Sequence, residues 1–168
     1  MLLVVLLFTA TLFLAYANGA NDNFKGVATL YGCNTAGFNR ALTIATIATF
    51  AGAISSVFLA AELVKAFSGK GLVPDLIAST PSFLLSVAVG ASATVMLATM
   101  IGLPISTTHS LIGGLAGAGF TAAGSGVNLN QLGVVFLLPL LLSPLIAVLL
   151  TMPSYKIAHA VTSSLGVV

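Results

Sequence analysis

Charged side chains are the scarcest feature of this sequence. Only 5% of its 168 residues are Asp, Glu, Lys or Arg, whereas soluble globular chains carry about 25%. Between positions 76 and 155 there is no charged residue at all. A chain with so few charged side chains cannot form a surface that is polar enough for contact with water. The composition therefore predicts an integral membrane protein with the lipid bilayer as its surroundings.

Other absences exclude several classes of protein. Cys33 is the single cysteine, so an intramolecular disulfide and a cysteine-rich metal site are excluded, and Cys33 is interpreted as a packing residue. The five basic residues form no patch, so nucleic acid is not expected as a partner. There is no second acid near Asp22 and no glycine-rich phosphate loop. The chain is therefore predicted not to be an enzyme and to need no cofactor.

Long apolar segments fill the charge-free stretches. They predict an all-α polytopic membrane protein with a single transmembrane domain over residues 1–168. The expected spans are 2–22, 41–61, 82–103, 105–124 and 132–152. Region 105–124 is either a full crossing or a re-entrant element, and a discontinuous element is preferred. Gly113 and Gly117 in this region predict a helix face for close packing.

The first of two polar interruptions is Asn-Gly-Ala-Asn-Asp-Asn at 18–23. Its glycine and asparagines predict a broken helix with free backbone carbonyl groups. The Asp22 carboxylate costs at least about 2.5 kcal/mol at membrane depth, so it needs a partner, an ion or water there. Together with the amide oxygens of Asn18, Asn21 and Asn23 it forms a ligand set suited to a hard cation. The alternative is a helix cap in the headgroup region.

The second interruption is Pro-Ile-Ser-Thr-Thr-His at 104–109. If Ser106 caps the following helix, the first backbone N–H groups lack partners and the helix dipole places partial positive charge there. The hydroxyl groups of Ser106, Thr107 and Thr108 add donors at the same point. This combination suits a tetrahedral oxyanion, and the alternative is an ordinary capping sequence.

Two residues beside these interruptions are possible accessory residues. Lys25 could attract the anion, pair with Asp22 or extend to the lipid headgroups, and the last interpretation is preferred. His109 could donate to the anion or be a neutral helix residue bonded to a carbonyl group, and the second is preferred. No metal is expected beyond a transported Na⁺.

Residues 19–22 and 104–109, separated by about eighty residues, resemble the paired signatures of the inorganic phosphate transporter (PiT) family. Residues 138–145 are similar to the segment that follows them in that family. The resemblance implies a secondary transporter that takes up inorganic phosphate by symport with Na⁺ or H⁺, as a multi-pass protein of the cytoplasmic membrane. By position it implies that Asn21 and Asp22 bind the cation and that Ser106, Thr107 and Thr108 contact phosphate.

The sequence departs from the family pattern in two ways. The family continues the first signature with small residues, whereas Asn-Phe-Lys follows here at 23–25. The family also carries two inverted repeats, and this chain has one copy of each signature. The chain is therefore interpreted as one inverted-repeat unit of a PiT-like transporter, with broken helices or a re-entrant hairpin.

A single repeat implies a second half-transporter chain. This partner would be a second copy in the opposite orientation or a separately encoded half, unless the chain is truncated. Lys25 and Arg40 lie on one side of the second segment, and Lys65 and Lys70 lie on the other. This balance gives almost no positive-inside preference, as an antiparallel homodimer requires. Alternatives for function are transport of another tetrahedral oxyanion such as sulfate and a non-transporting membrane assembly subunit.

Overall fold

The protein is built from α-helices. The structure is a computed structural model that describes residues 1–164, and within that range it contains no β-strand. The α-helices of this range are α1 (Leu2–Asp22), α2 (Ala28–Gly32), α3 (Phe38–Leu59), α4 (Ala61–Ala66), α5 (Asp75–Ala78), α6 (Pro81–Met100), α7 (Thr107–Ala123), α8 (Leu129–Gln131) and α9 (Leu138–Ser164).

Within residues 1–164, four segments are long and apolar enough to cross a membrane. They are Leu2–Gly32, Phe38–Leu59, Pro81–Met100 and Leu129–Ser164. In three of them only 6% of the most apolar stretch is buried inside the protein, which leaves their apolar side chains available to lipid. The prediction of an all-α polytopic membrane protein is confirmed.

The region predicted as a crossing or a re-entrant element forms one continuous helix. α7 has 17 residues and is therefore about 25 Å long. The preferred interpretation, two short halves within this region, is wrong, because neither a proline nor a φ-positive glycine interrupts the helix between Thr107 and Ala123. Whether α7 crosses the membrane fully stays a prediction.

Two compact units divide the chain, residues 1–128 and the residues from 129 onward. In the second unit, α8 leads into a π-helical turn at Leu132–Leu137, and α9 follows with Pro144 and Pro153 inside it. A π-helical turn is one of the recognised sources of local irregularity in long helices. The predicted segment 132–152 lies within this helical region, which continues to Ser164.

In the first unit, α6 is the helix against which both α1 and α7 pack. It is the most buried of the candidate spans, with 39% of its apolar stretch inside the protein. The buried positions are small: Ala17 of α1 and Ala91 of α6 are fully inaccessible, and Ser92 is nearly so. Small side chains allow helix backbones to approach closely, which supplies packing contacts where lipid provides no hydrophobic driving force.

The turn after α6 determines where α7 begins. The Gly102 N–H donates to the Thr99 carbonyl and the Leu103 N–H to the Ala98 carbonyl, at 3.1 and 2.8 Å, and this pair of bonds is a Schellman motif. The motif needs a left-handed residue, and Gly102 has φ +73°. Pro104 follows and disfavours helical continuation of the preceding residue. The chain therefore reverses here, and α7 runs back along α6.

The closest approach between α6 and α7 is at Gly114. A Cβ atom added there would lie 3.0 Å from the backbone carbonyl oxygen of Val87. By contrast, an added Cβ at Gly113 or Gly117 would meet no atom within 4 Å. Gly113 and Gly117, predicted to form a close-packing face, instead line an open groove of the described chain. The glycine that the close packing of α6 and α7 requires is Gly114.

Replacing Gly114 by alanine is therefore expected to lower stability. The added methyl group pushes two backbones apart, and overpacking of this kind costs about 1–3 kcal/mol. Circular dichroism of the detergent-solubilised protein should show a lower melting temperature for Gly114→Ala. Gly113→Ala is the matched control and should melt no lower than the unmodified chain. Equal melting temperatures for both variants would contradict the described helix packing.

Candidate functional site

The first polar stretch ends α1 without breaking it. The Asn23 N–H donates to the Gly19 carbonyl at 3.1 Å, so the backbone is helical through Asp22. The irregular turn comes at 23–24, where the Phe24 ring stacks on Phe38 with centroids 5.3 Å apart. The predicted break within 18–23 is therefore wrong in position. The helix persists there because the polar side chains find partners on other elements.

Asn21 connects α1 to the turn between α6 and α7. Its side-chain N–H₂ group donates to the Thr99 hydroxyl at 2.8 Å and to the Leu103 carbonyl at 3.3 Å. Its side-chain oxygen accepts the Ile105 N–H at 3.3 Å. Asn21 is partly buried, and bonds in both directions fix the orientation of its amide. Asn21 therefore holds the turn against the end of α1.

Thr107 connects the start of α7 to α1. Its hydroxyl lies 2.6 Å from Asn18 Oδ1 and 3.2 Å from Asp22 Oδ2. A hydroxyl carries one proton, so it donates to one of these oxygens at a time. The N-terminus of α7 therefore lies directly beside the Asp22 carboxylate.

Ser106 is the N-cap of α7, as predicted. Its Oγ accepts the N–H of His109 at 3.3 Å, which satisfies one of the unpaired donors of the first turn. The N–H groups of Thr107 and Thr108 lie earlier in that turn and have no intrahelical acceptor. Thr108 is an exposed residue. The helix start therefore offers several donors to a ligand.

Lys25 turns inward instead of extending to the headgroups. Its ammonium group forms an ion pair with Asp22 and lies 2.6 Å from Asn21 Oδ1 and 2.7 Å from the Ile105 carbonyl oxygen. The preferred prediction for this residue is therefore wrong, and the alternative of pairing with Asp22 is observed. The reason is that three acceptors match the three protons of an ammonium group.

These polar groups surround one open depression of about 660 Å³. The residues that line it are Asn18, Asp22, Lys25, Pro104, Ile105, Ser106, Thr107, Thr108 and Leu111. His109 lines a separate groove of about 780 Å³ beside α6 and α7. The structure thus brings all the predicted site residues together except His109, with Asn21 contributing through its bonds to Lys25 and the turn.

The bonds of Asn23 show where the site lies along α3. Its side chain donates to the Thr46 hydroxyl at 3.1 Å and accepts from the Thr49 hydroxyl at 2.8 Å. α3 runs from Phe38 to Leu59, so these threonines flank its midpoint, about 15 Å from either end. The end of α1 is therefore level with the middle of a candidate span. This agrees with Asp22 at membrane depth and disagrees with a cap among headgroups.

Two contributors to the site were not predicted from the sequence. Thr99 supports Asn21, and Ile105 offers its backbone carbonyl to Lys25. The carbonyl of Ile105 has no side-chain signal by which sequence could reveal it. Asn23, which the sequence suggests as a further amide ligand of the cation, bonds in the structure to Thr46 and Thr49 of α3.

Comparison with known proteins identifies the family of this chain. Residues 18–165 match the Phosphate transporter family. The chain belongs to this family, and the resemblance seen in its two signatures is confirmed. It is a multi-pass membrane protein of a family of transporters, so the prediction that it is not an enzyme is also confirmed.

Several relatives carry names that refer to phosphate. The chain is 36% identical over 148 residues to a protein of Thermococcus kodakarensis provisionally named a phosphate permease, covering 85% of this chain and 35% of the relative. It is 35% identical over 153 residues to a "Probable low-affinity inorganic phosphate transporter" of Streptomyces halstedii, covering 88% of this chain and 67% of the relative. The chain spans about a third of the length of the archaeal permeases it matches. No solved structure matches it.

Proposed function

We propose that this chain is part of a secondary transporter for inorganic phosphate, coupled to a cation, Na⁺ or H⁺, in the cytoplasmic membrane. The observation that carries the proposal is the meeting of the α7 N-terminus with the polar end of α1. There the Thr107 hydroxyl lies within hydrogen-bond distance of both Asn18 and Asp22, and an open depression lies over them. Membership of the Phosphate transporter family supports the same substrate.

Phosphate binding would use the start of α7. The N–H groups of Thr107 and Thr108 and the hydroxyls of Ser106 and Thr108 are hydrogen-bond donors for the anion. The helix dipole adds partial positive charge at the same point, about half an elementary charge for a full helix. Lys25 faces this depression but is paired with Asp22. The anion would therefore be held mainly by uncharged donors, which allows it to leave again.

Asp22 favours phosphate over sulfate in this proposal. Hydrogen phosphate has a P–OH group that can donate to a carboxylate, whereas sulfate has none at neutral pH. Asp22 lines the depression together with Ser106 and Thr108, so its carboxylate lies beside the proposed anion position. A sulfate ion there would meet only repulsion from this oxygen.

Cation coupling would use the oxygen atoms at the end of α1. The side chains of Asn18, Asn21 and Asp22 supply two amide oxygens and a carboxylate, which are ligands for a hard cation. The hydroxyl of Thr107 joins this set to the anion position through Asn18 and Asp22. Occupation of one position would therefore affect the other through shared residues.

Uptake by the purified chain in proteoliposomes tests the proposal. Labelled phosphate and labelled sulfate are offered separately, each with a Na⁺ gradient, a proton gradient or neither. We expect accumulation of phosphate above that in protein-free liposomes, and more of it with one of the two gradients. Uptake of sulfate alone would contradict the substrate. Uptake of neither anion would contradict transport by this chain alone and leave either a separately encoded second half or an assembly subunit.

We also propose that a second half-transporter completes the site, either another copy in the opposite orientation or a separately encoded half. The groove beside α6 and α7 supports this proposal. It has a volume of about 780 Å³ and is lined mainly by small residues, among them Gly90, Gly113 and Gly117. Such a face suits close contact with another helix. The partner would present its own Ser-Thr-Thr run across the depression.

Crosslinking in membranes tests the partner. In the homodimer version, cysteine crosslinks should yield a dimer, and accessibility labels at both termini should report two orientations in equal amounts. A single orientation, together with no transport by the purified chain alone, would contradict the homodimer and leave a separately encoded half.

A further inference from the structure

The ammonium group of Lys25 has the surroundings of a bound cation. Three oxygen atoms lie around it: the carboxylate Oδ1 of Asp22, the amide Oδ1 of Asn21 and the backbone carbonyl of Ile105. Their distances from Nζ are 2.5–2.7 Å. The first two oxygens come from the end of α1 and the third from the turn before α7, so the ammonium joins two separate elements.

This oxygen set is also a ligand set for a metal cation. Carboxylate, amide and backbone carbonyl oxygens are the groups that bind hard cations in proteins. Unwound segments in transporters supply backbone carbonyls to Na⁺ in a comparable way. Each of the three oxygens here is directed at Lys25, so a Na⁺ ion bound by the same three atoms would have to displace the ammonium.

The charge balance of the site also depends on Lys25. Its single positive charge offsets that of Asp22, the acidic residue with which it is paired. The side chains of both are about 40% exposed, so the pair lies at the wall of the depression and not in a sealed interior. With Lys25 in place, the site has its positive charge without any added ion.

We infer that Lys25 acts as a tethered cation in the Asn21–Asp22–Ile105 oxygen set, so that phosphate transport by this chain needs no Na⁺. The inference rests on the proposed function and selects H⁺ from its two coupling ions. Removal of the ammonium leaves the three oxygens without their shared cation and gives the set a net negative charge, with the Ile105 N–H still bonded to Asn21 Oδ1. Lys25→Ala should therefore create a Na⁺ site and make transport depend on Na⁺.

The test compares Na⁺ with choline at equal ionic strength, with labelled phosphate uptake as the first readout. In the unmodified chain, replacing Na⁺ by choline should leave uptake unchanged under a proton gradient. In Lys25→Ala, uptake should be at least about tenfold higher in Na⁺ than in choline. Lys25→Arg keeps the charge and should remain insensitive to Na⁺. Lys65→Ala removes a lysine on α4, where the side chain is 75% exposed, and should behave as the unmodified chain.

The second readout is binding of Na⁺ itself, followed as a melting temperature by circular dichroism. Na⁺ should raise the melting temperature of Lys25→Ala and leave the unmodified chain and Lys65→Ala unaffected. A Na⁺ requirement in the unmodified chain, or a folded Lys25→Ala protein that Na⁺ does not stabilise, would overturn the inference. If Lys25→Ala does not fold, the inference is tested on the unmodified chain and on Lys25→Arg, and uptake that requires Na⁺ in either protein would overturn it. Absence of uptake in every protein would contradict transport by this chain alone, and the melting temperatures would still test the inference.

Discussion

Replacing Asp22 by asparagine is expected to reduce phosphate uptake into proteoliposomes by about 100-fold. The substitution keeps the size of the side chain and removes its charge. It leaves the Lys25 ammonium without its ion-pair partner and gives the Thr107 hydroxyl a neutral acceptor. Truncating one partner of a hydrogen-bonded charge pair costs about 2–5 kcal/mol when the pair is buried, and the partial exposure of this pair places the expected effect near the lower end.

Asp75→Asn is the control for this experiment. Asp75 is exposed and lies in the first turn of α5, outside the residues that line the depression. The same chemical change there should leave uptake within about twofold, as is usual for surface substitutions. If Asp22→Asn retained uptake within the same range as Asp75→Asn, the assignment of Asp22 to the site would be wrong.

Replacing Thr107 by valine is expected to reduce uptake by about 10- to 100-fold. Valine has nearly the same shape as threonine, so α7 should still begin at this residue. The hydroxyl that bonds to Asn18 and Asp22 at 2.6 and 3.2 Å is lost. Hydrogen bonds to charged groups contribute about 1.5–3 kcal/mol. The position of the α7 N-terminus relative to α1 would then be less well defined, which weakens binding of the anion.

Thr43→Val is the matched control for Thr107→Val. Thr43 is an exposed residue of α3, and its hydroxyl donates to the Asn39 carbonyl of its own helix at 2.8 Å. That bond lies within one helix and connects no two elements, so its loss should leave uptake unchanged. Equilibrium binding of labelled phosphate to detergent-solubilised protein should follow the uptake values. Equal binding by the Thr107→Val and Thr43→Val proteins would contradict a role of Thr107 in the anion position.

The parts of the site that the sequence predicts are those with a local cause. Ser106 precedes an apolar helix and has a backbone N–H three residues later to accept, so its position as N-cap follows from the chain itself. Pro81 likewise stands in the first turn of α6, after the capping residue Thr80. The convergence of the two polar stretches is less local, and it was predicted through the family resemblance.

The features that the sequence did not predict depend on distant contacts. Glycine and asparagine at 18–23 disfavour a helix locally, but Asn21 bonds to Thr99 and Leu103, about eighty residues away. These tertiary contacts retain helical backbone where local preference opposes it. The orientation of Lys25 also depends on a distant contact. The sequence is compatible with a lysine that extends to the headgroups, and the Ile105 carbonyl, eighty residues away, favours the inward orientation.

The bonds of Asn21, Asp22 and Asn23 have a consequence for how the gene can change. Successive residues of an α-helix point about 100° apart, and these three reach the α6–α7 turn, Thr107 and α3, respectively. Inserting or deleting one residue within 18–22 would rotate the side chains that follow by about 100° relative to the rest of α1. The hydrogen bonds of these residues to their partners would then be lost together. Length variation in relatives with the same site should therefore be confined to loops such as 67–74, which lies between α4 and α5.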